Sequence, residues 1–94
     1  VCAAMGYLAT SDSAEENRRI LAITPGVQLD AALWPYSGFK GGSAPGDLAG
    51  AFLATDSSGQ DWIVTEQFRA DDAIDPIPSS YAFLVAQQAF ALLK

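Results

Sequence analysis

The run Gly38-Phe39-Lys40-Gly41-Gly42-Ser43-Ala44-Pro45-Gly46 holds the residues whose types and spacing best suit chemistry. A lysine on a strand that ends in two glycines sets a fixed positive charge beside bare backbone. Glycine has no Cβ to hold a ligand away, so a substrate can lie against the strand's N–H groups. A carboxylate or carbonyl docked there meets both the ammonium and the backbone donors. The same letters have a plainer explanation. Gly41 and Gly42 can form a bulge ahead of a turn, with Lys40 a solvated charge at a strand end.

Elsewhere the composition mainly excludes. The 94 residues include no His and one Cys, Cys2, so neither a Cys/His zinc site nor a Ser-His-Asp triad can be built within the chain. An internal disulfide is excluded for the same reason, and no cofactor or metal is expected. Asp71, Asp72 and Asp75 share one stretch and could gather a cation, but a solvated acidic loop explains them as well, and no run has the spacing of a calcium loop. Cys2 lies in an Ala-rich segment and reads as a small buried hydrophobe, with no His to activate it. A net charge of −6 disfavours nucleic acid and anionic membranes, because phosphate binding needs clustered Lys and Arg. No apolar stretch reaches the ~18 residues that span a bilayer. The longest, Tyr81 to Leu93, is interrupted by Gln87 and Gln88.

These residues need elements to hold them. Val1 to Thr10 suits a short buried helix. Ser13 followed by Glu16 has capping-box spacing, and Ile20, Leu21 and Ile23 are the apolar anchors of a second helix that Thr24-Pro25-Gly26 ends. Val27 to Leu33 reads as a connection. Trp34, Tyr36 and Phe39 mark a strand from Trp34 to Phe39 that runs into the glycines, and Ala44-Pro45-Gly46-Asp47 is a turn. Leu48 to Thr55 is apolar on both faces, as a strand covered on both sides should be. Asp56 to Gln60 reads as a hairpin loop, Asp61 to Phe68 as the return strand with Glu66 facing solvent, and Arg69 to Pro78 as an exposed loop. Ser79 or Ser80 can cap a final helix whose many apolar residues require much of its girth to be covered. The expected fold is therefore α/β: one unit over residues 1–94, with helices in 1–24, a short antiparallel sheet of about three strands in 34–68, and a long C-terminal helix in 79–94.

The glycine run resembles the third motif of the β-lactamase and penicillin-binding-protein superfamily, Lys-Thr-Gly or Lys-Ser-Gly on an inner strand. Lys-Gly-Gly-Ser, a Pro-Gly turn and an apolar strand resemble a branch of class A β-lactamase-like serine hydrolases. In that family the motif strand is followed by a hairpin of two further strands and a long C-terminal helix packed on the sheet, the same order as here. The resemblance implies that Lys40 orients a substrate carboxylate and polarises the nucleophile's proton network. It implies that Gly42 keeps substrate access open, and that the Ser43 backbone N–H forms half of an oxyanion hole. Gly41 stands where the family carries a hydroxyl, a departure that counts against β-lactam hydrolysis of the usual kind. The family's nucleophile lies in Ser-x-x-Lys at a helix start. Ser37 and Lys40 match those letters, but on a strand residues three apart point to opposite faces. Ser11-Asp12-Ser13 is the nearest string to the second motif, and N-capping explains it more simply.

Two functions follow as expectations. In the first, the chain is the C-terminal part of a serine hydrolase that acts through an acyl-enzyme on a β-lactam, amide or ester. It would begin partway into that fold and be inactive alone, with Lys40 and Ser43 catalytic and Gly41 and Gly42 lining the substrate. In the second, it is a non-catalytic binding or structural module on the same scaffold. Either way its strands would leave edges for the missing N-terminal portion or for self-association. Location outside the cytoplasmic membrane follows from the resemblance only.

Overall fold

The run Leu48 to Thr55 has no charged side chain, so the strand it forms can persist only with both faces covered. The computed structural model describes residues 2–24, 26–44, 46–69 and 79–93 and places that strand at the centre. In chain order the elements are α1 (Cys2–Thr10), α2 (Ala14–Leu21), β1 (Tyr36–Ala44), β2 (Asp47–Thr55), β3 (Asp61–Arg69) and α3 (Ser79–Leu93). The three strands form one antiparallel sheet in the order β1-β2-β3, so the α/β arrangement of three helices and a three-stranded sheet holds.

Cross-strand register assigns the faces. The rows Phe39–Phe52–Val64 and Gly41–Gly50–Glu66 lie on one face, and Gly38–Leu53–Ile63 and Lys40–Ala51–Thr65 on the other. On the first face Phe52, Ala54, Trp34 and Val27 pack against Ala86 and Phe90 of α3. On the second, Ala51 and Leu53 meet Met5 and Ala9 of α1 and Leu21 of α2. The sheet is thus the middle of three layers.

Several details depart from the sequence expectations. Trp34 lies ahead of the strand and is buried against Phe90, ring centroids 5.1 Å apart and edge-on. β1 passes through Gly41 and Gly42 with one-to-one pairing, so there is no bulge there. Ser13 sits at the N-cap without a side-chain cap bond, its backbone at φ −96° and ψ 17° lying outside the extended region a cap adopts, and Glu16 pairs with Arg19. Of the three apolar anchors only Leu21 is buried; Ile20 and Ile23 are exposed, as is Cys2. Short α1 buries only Met5 and Ala9, which leaves its first turn open. α3 is covered along one side, while Leu84, Val85, Leu92 and Leu93 face outward. No helix is long and apolar enough to cross a membrane among the described residues. Asp71, Asp72 and Asp75, with most of the expected Arg69–Pro78 loop, lie outside the described residues; Arg69 itself ends β3.

Candidate active-site strand and cleft

β1 carries the candidate residues, and its two halves are held differently. At the N-terminal half the Tyr36 hydroxyl donates to the Arg18 carbonyl at 2.8 Å, and the Arg18 guanidinium lies over the Tyr36 ring. The same guanidinium donates to Asp61 Oδ2 at 2.5 Å and Thr55 Oγ1 at 3.1 Å, locking α2 to the end of β2 and β3. This hydrogen bond holds the Asp61 carboxyl below the usual carboxylate range, while burial pushes the Tyr36 phenol up. Beside them the buried Asp56 organises the β2–β3 hairpin. Its Oδ1 accepts from the Ser58 and Gln60 backbone N–H groups at 2.9 and 3.0 Å, and its Oδ2 from Trp62 Nε1 at 2.9 Å. An Asx turn of this kind satisfies donors that a tight loop would otherwise leave exposed.

Beyond Phe39 the sheet thins. Gly41 pairs with Gly50 and Gly42 with Ala49, so a patch of two adjacent strands has almost no side chain. The glycines have different causes. A Cβ at Gly41 would lie 2.5 Å from Phe39 Cζ, and one at Gly50 would lie 3.2 and 3.3 Å from the Phe52 and Phe39 rings. These two glycines make room for aromatic rings that lie along the sheet. Position 41 therefore has a packing reason to be glycine, and a hydroxyl-bearing side chain there would have to displace the Phe39 ring. Around Gly42 nothing lies within 4 Å of an added Cβ, so packing does not require glycine there.

The sequence-predicted residues stay together on this stretch. Lys40 and Gly42 face the α1/α2 side, and Gly41 and Ser43 the α3 side. Lys40 is exposed, and its Nζ donates to the Gly41 carbonyl at 2.6 Å; it has no acidic partner among the described residues. Gly42 and Ser43 are exposed as well. Ser37 pairs with Ala54 and Lys40 with Ala51, on opposite faces, so Lys40 cannot activate Ser37. β1 is an edge of the described sheet, so alternate N–H and C=O groups along it have no ladder partner. A peptide-like or acyl substrate can bond to such an edge.

A cleft of about 610 Å³ follows this strand between the end of α2 and the start of α3, lined by Ile20, Ile23, Lys40, Leu48, Glu66 and Phe83 among others. A second hollow of about 310 Å³ lies under α1, against Lys40, Gly42 and Ala49. The residue that sequence reasoning misplaced is Glu66. Both of its carboxylate oxygens are buried and lack a hydrogen-bond partner among the described residues, and burial pushes the carboxyl above its ordinary value. The signal was in the period-two row Trp62, Val64, Glu66, Phe68, which puts the glutamate on the apolar face that α3 covers. Cys2 does not join this site; its Sγ lies 3.5 Å from Thr65 Oγ1 in an exposed contact. No grouping of acidic and Cys side chains able to hold a metal occurs among the described residues. No family model matches the sequence, and a search of curated proteins finds no relative.

Proposed function

We propose that this chain supplies one wall of the active site of a β-lactamase-like serine hydrolase that acts through an acyl-enzyme on a β-lactam, amide or ester. The observation that carries the reading is that Lys40-Gly41-Gly42-Ser43 lies on an edge strand along a cleft of about 610 Å³, with Gly42 open to solvent and under no packing constraint. The order of elements, a motif strand followed by two antiparallel strands and a long helix on the sheet, supports it further. Lys40 attracts and orients the substrate carboxylate. The Ser43 N–H contributes to the oxyanion hole, and Gly42 lets the acyl group approach the strand. The nucleophile comes from outside these residues, and the open sheet edge and the apolar outer side of α3 receive the segment that carries it or a second copy of the chain. Such an enzyme works outside the cytoplasmic membrane. The test is acylation of the full-length protein by a fluorescent penicillin, with a chromogenic cephalosporin to report turnover. Covalent labelling that falls about hundredfold in Lys40→Met supports the reading; a full-length protein that is never labelled contradicts it.

The packing of Phe39 over Gly41 favours a second reading, a non-catalytic module on the same scaffold. With that ring in place, a hydroxyl at position 41 has no room. In that case the full-length protein folds, binds ligand or partner along β1, and forms no covalent adduct.

A further inference from the structure

β3 is the second open edge of the sheet: it pairs with β2 on one side and, among the described residues, with no strand on the other. Alternate N–H and C=O groups along such an edge are a template for a further strand. The edge is also complementary to itself. Set two copies of β3 (Asp61–Arg69) antiparallel about the middle residue, Thr65, and the Asp61 of each stands across the Arg69 of the other. On the face that α3 covers, the same register puts Trp62 across Phe68 twice. Asp61 is held in its ionised form by Arg18. Arg69 is exposed and, although it lies across Asp47 of β2, forms no ion pair among the described residues.

The helix above this edge suits the same neighbour. α3 lies over β2 and β3, and its Phe83 and Phe90 lean toward Phe39 of β1 and Trp34 just ahead of it. Helical spacing then turns the opposite flank, Val85, Ala89 and Leu92, past β3. Val85 is 46% exposed and Leu92 89%, and no charged side chain occurs between Ser79 and Leu93. A chain of net charge −6 can therefore bring two such flanks together without opposing like charges. Paired strands stand about 4.8 Å apart, so two helices each seated between β2 and β3 would lie about 10 Å apart across the joint, a distance at which helices pack.

From this self-complementarity we infer that a second copy of the chain docks along β3, related by a two-fold axis at Thr65. Two three-stranded sheets become one continuous sheet, with the α3 helices side by side on one face. Both Lys40 strands lie at the outer edges of that sheet, and their clefts stay open. The pairing needs no hydrolase activity.

The experiment measures the mass of the full-length protein by sedimentation across the micromolar range, for wild type, Arg69→Glu, Asp61→Lys and an equal mixture of the two variants. The wild type dimerises within that range. Each variant alone sets like charges across the joint twice and dimerises about tenfold or more weakly. The mixture regains the wild-type strength, because its heterodimer carries opposite charges at both ends. A monomeric wild type overturns the proposal, and is what results when another segment of the protein takes this edge. Variants that dimerise as tightly as wild type, or a mixture no tighter than its components, also overturn it. Should Asp61→Lys not fold, Thr65→Lys decides: it sets two ammonium groups face to face at the axis from an exposed position, and an unweakened dimer overturns the proposal. A failure here leaves penicillin acylation untouched, so the two readings fail separately.

Discussion

The two ends of the sheet are built on opposite plans. At the hairpin end, Phe52, Leu53 and Ala54 are covered on both faces, Asp56 holds the turn, and Arg18 ties helix to strand through Asp61 and Thr55. At the other end the same strands carry Gly41, Gly42 and Gly50, one exposed lysine and one buried carboxyl with no partner among the described residues. Even the two acids of β3 behave oppositely: Asp61 is stabilised in its ionised form by Arg18, and Glu66 is penalised in its own by burial. A sheet that concentrates its packing at one end can leave bare backbone open to a ligand at the other.

The largest effect is expected where packing is densest. Phe52→Ala removes a ring that touches Phe39 and Phe90 and should cost about 4 kcal/mol in urea unfolding. Asp56→Ala leaves hairpin N–H groups and the Trp62 indole unsatisfied and should cost about 2–3 kcal/mol by the same measurement. If both variants were mild, the division between the two ends would fail.

The two carboxylates sharpen the comparison through pH. The Asp61 pKa is depressed in the folded state, so its contribution is fully present above the unfolded value of about 3.9 and is lost as pH falls through the folded one. Asp61→Asn should therefore destabilise at neutral pH, by under about 1 kcal/mol because the pair is partly solvated, and the difference should vanish in acid. For Glu66 the folded pKa is raised. Its ionisation costs nothing below the unfolded value of about 4.3, and the cost grows as pH rises through the folded pKa. Glu66→Gln should therefore gain on the wild type as pH increases, a trend opposite to that of Asp61→Asn. The smallest effect on stability belongs to Gly42→Val, within about 0.5 kcal/mol, because nothing packs where its side chain would stand.

What could be read from the sequence followed from strong local signals. The uncharged run Leu48 to Thr55 and the Asp56-Ser57-Ser58-Gly59-Gln60 loop are sufficient for a hairpin around a doubly covered strand, and Gly59 indeed takes a positive φ of 86°. The first half of β1 was legible from Tyr36 and Phe39, but the glycines hid its continuation to Ala44, which only the pairing with β2 reveals. Glu66 was missed because charge outweighed period in the reading of β3, although Val64 and Phe68 flank it on one face. Ile20, Ile23 and Cys2 were expected inside because they are apolar, yet a helix of eight or nine residues buries only a narrow stripe on a sheet this small, and Ile23 lies beyond the end of α2. Gly41 was read as a departure from a motif, whereas the Phe39 ring that fills its place can be seen only in three dimensions.

Gly42 tests the central claim most directly, since the fold itself gives no reason for glycine there. The measurement is the rate of fluorescent-penicillin labelling of full-length Gly42→Val beside wild type, with the melting temperature of each. An unchanged melting temperature with labelling reduced about hundredfold or more is the predicted result. Labelling as fast as in the wild type would contradict the assignment of this strand to the active site.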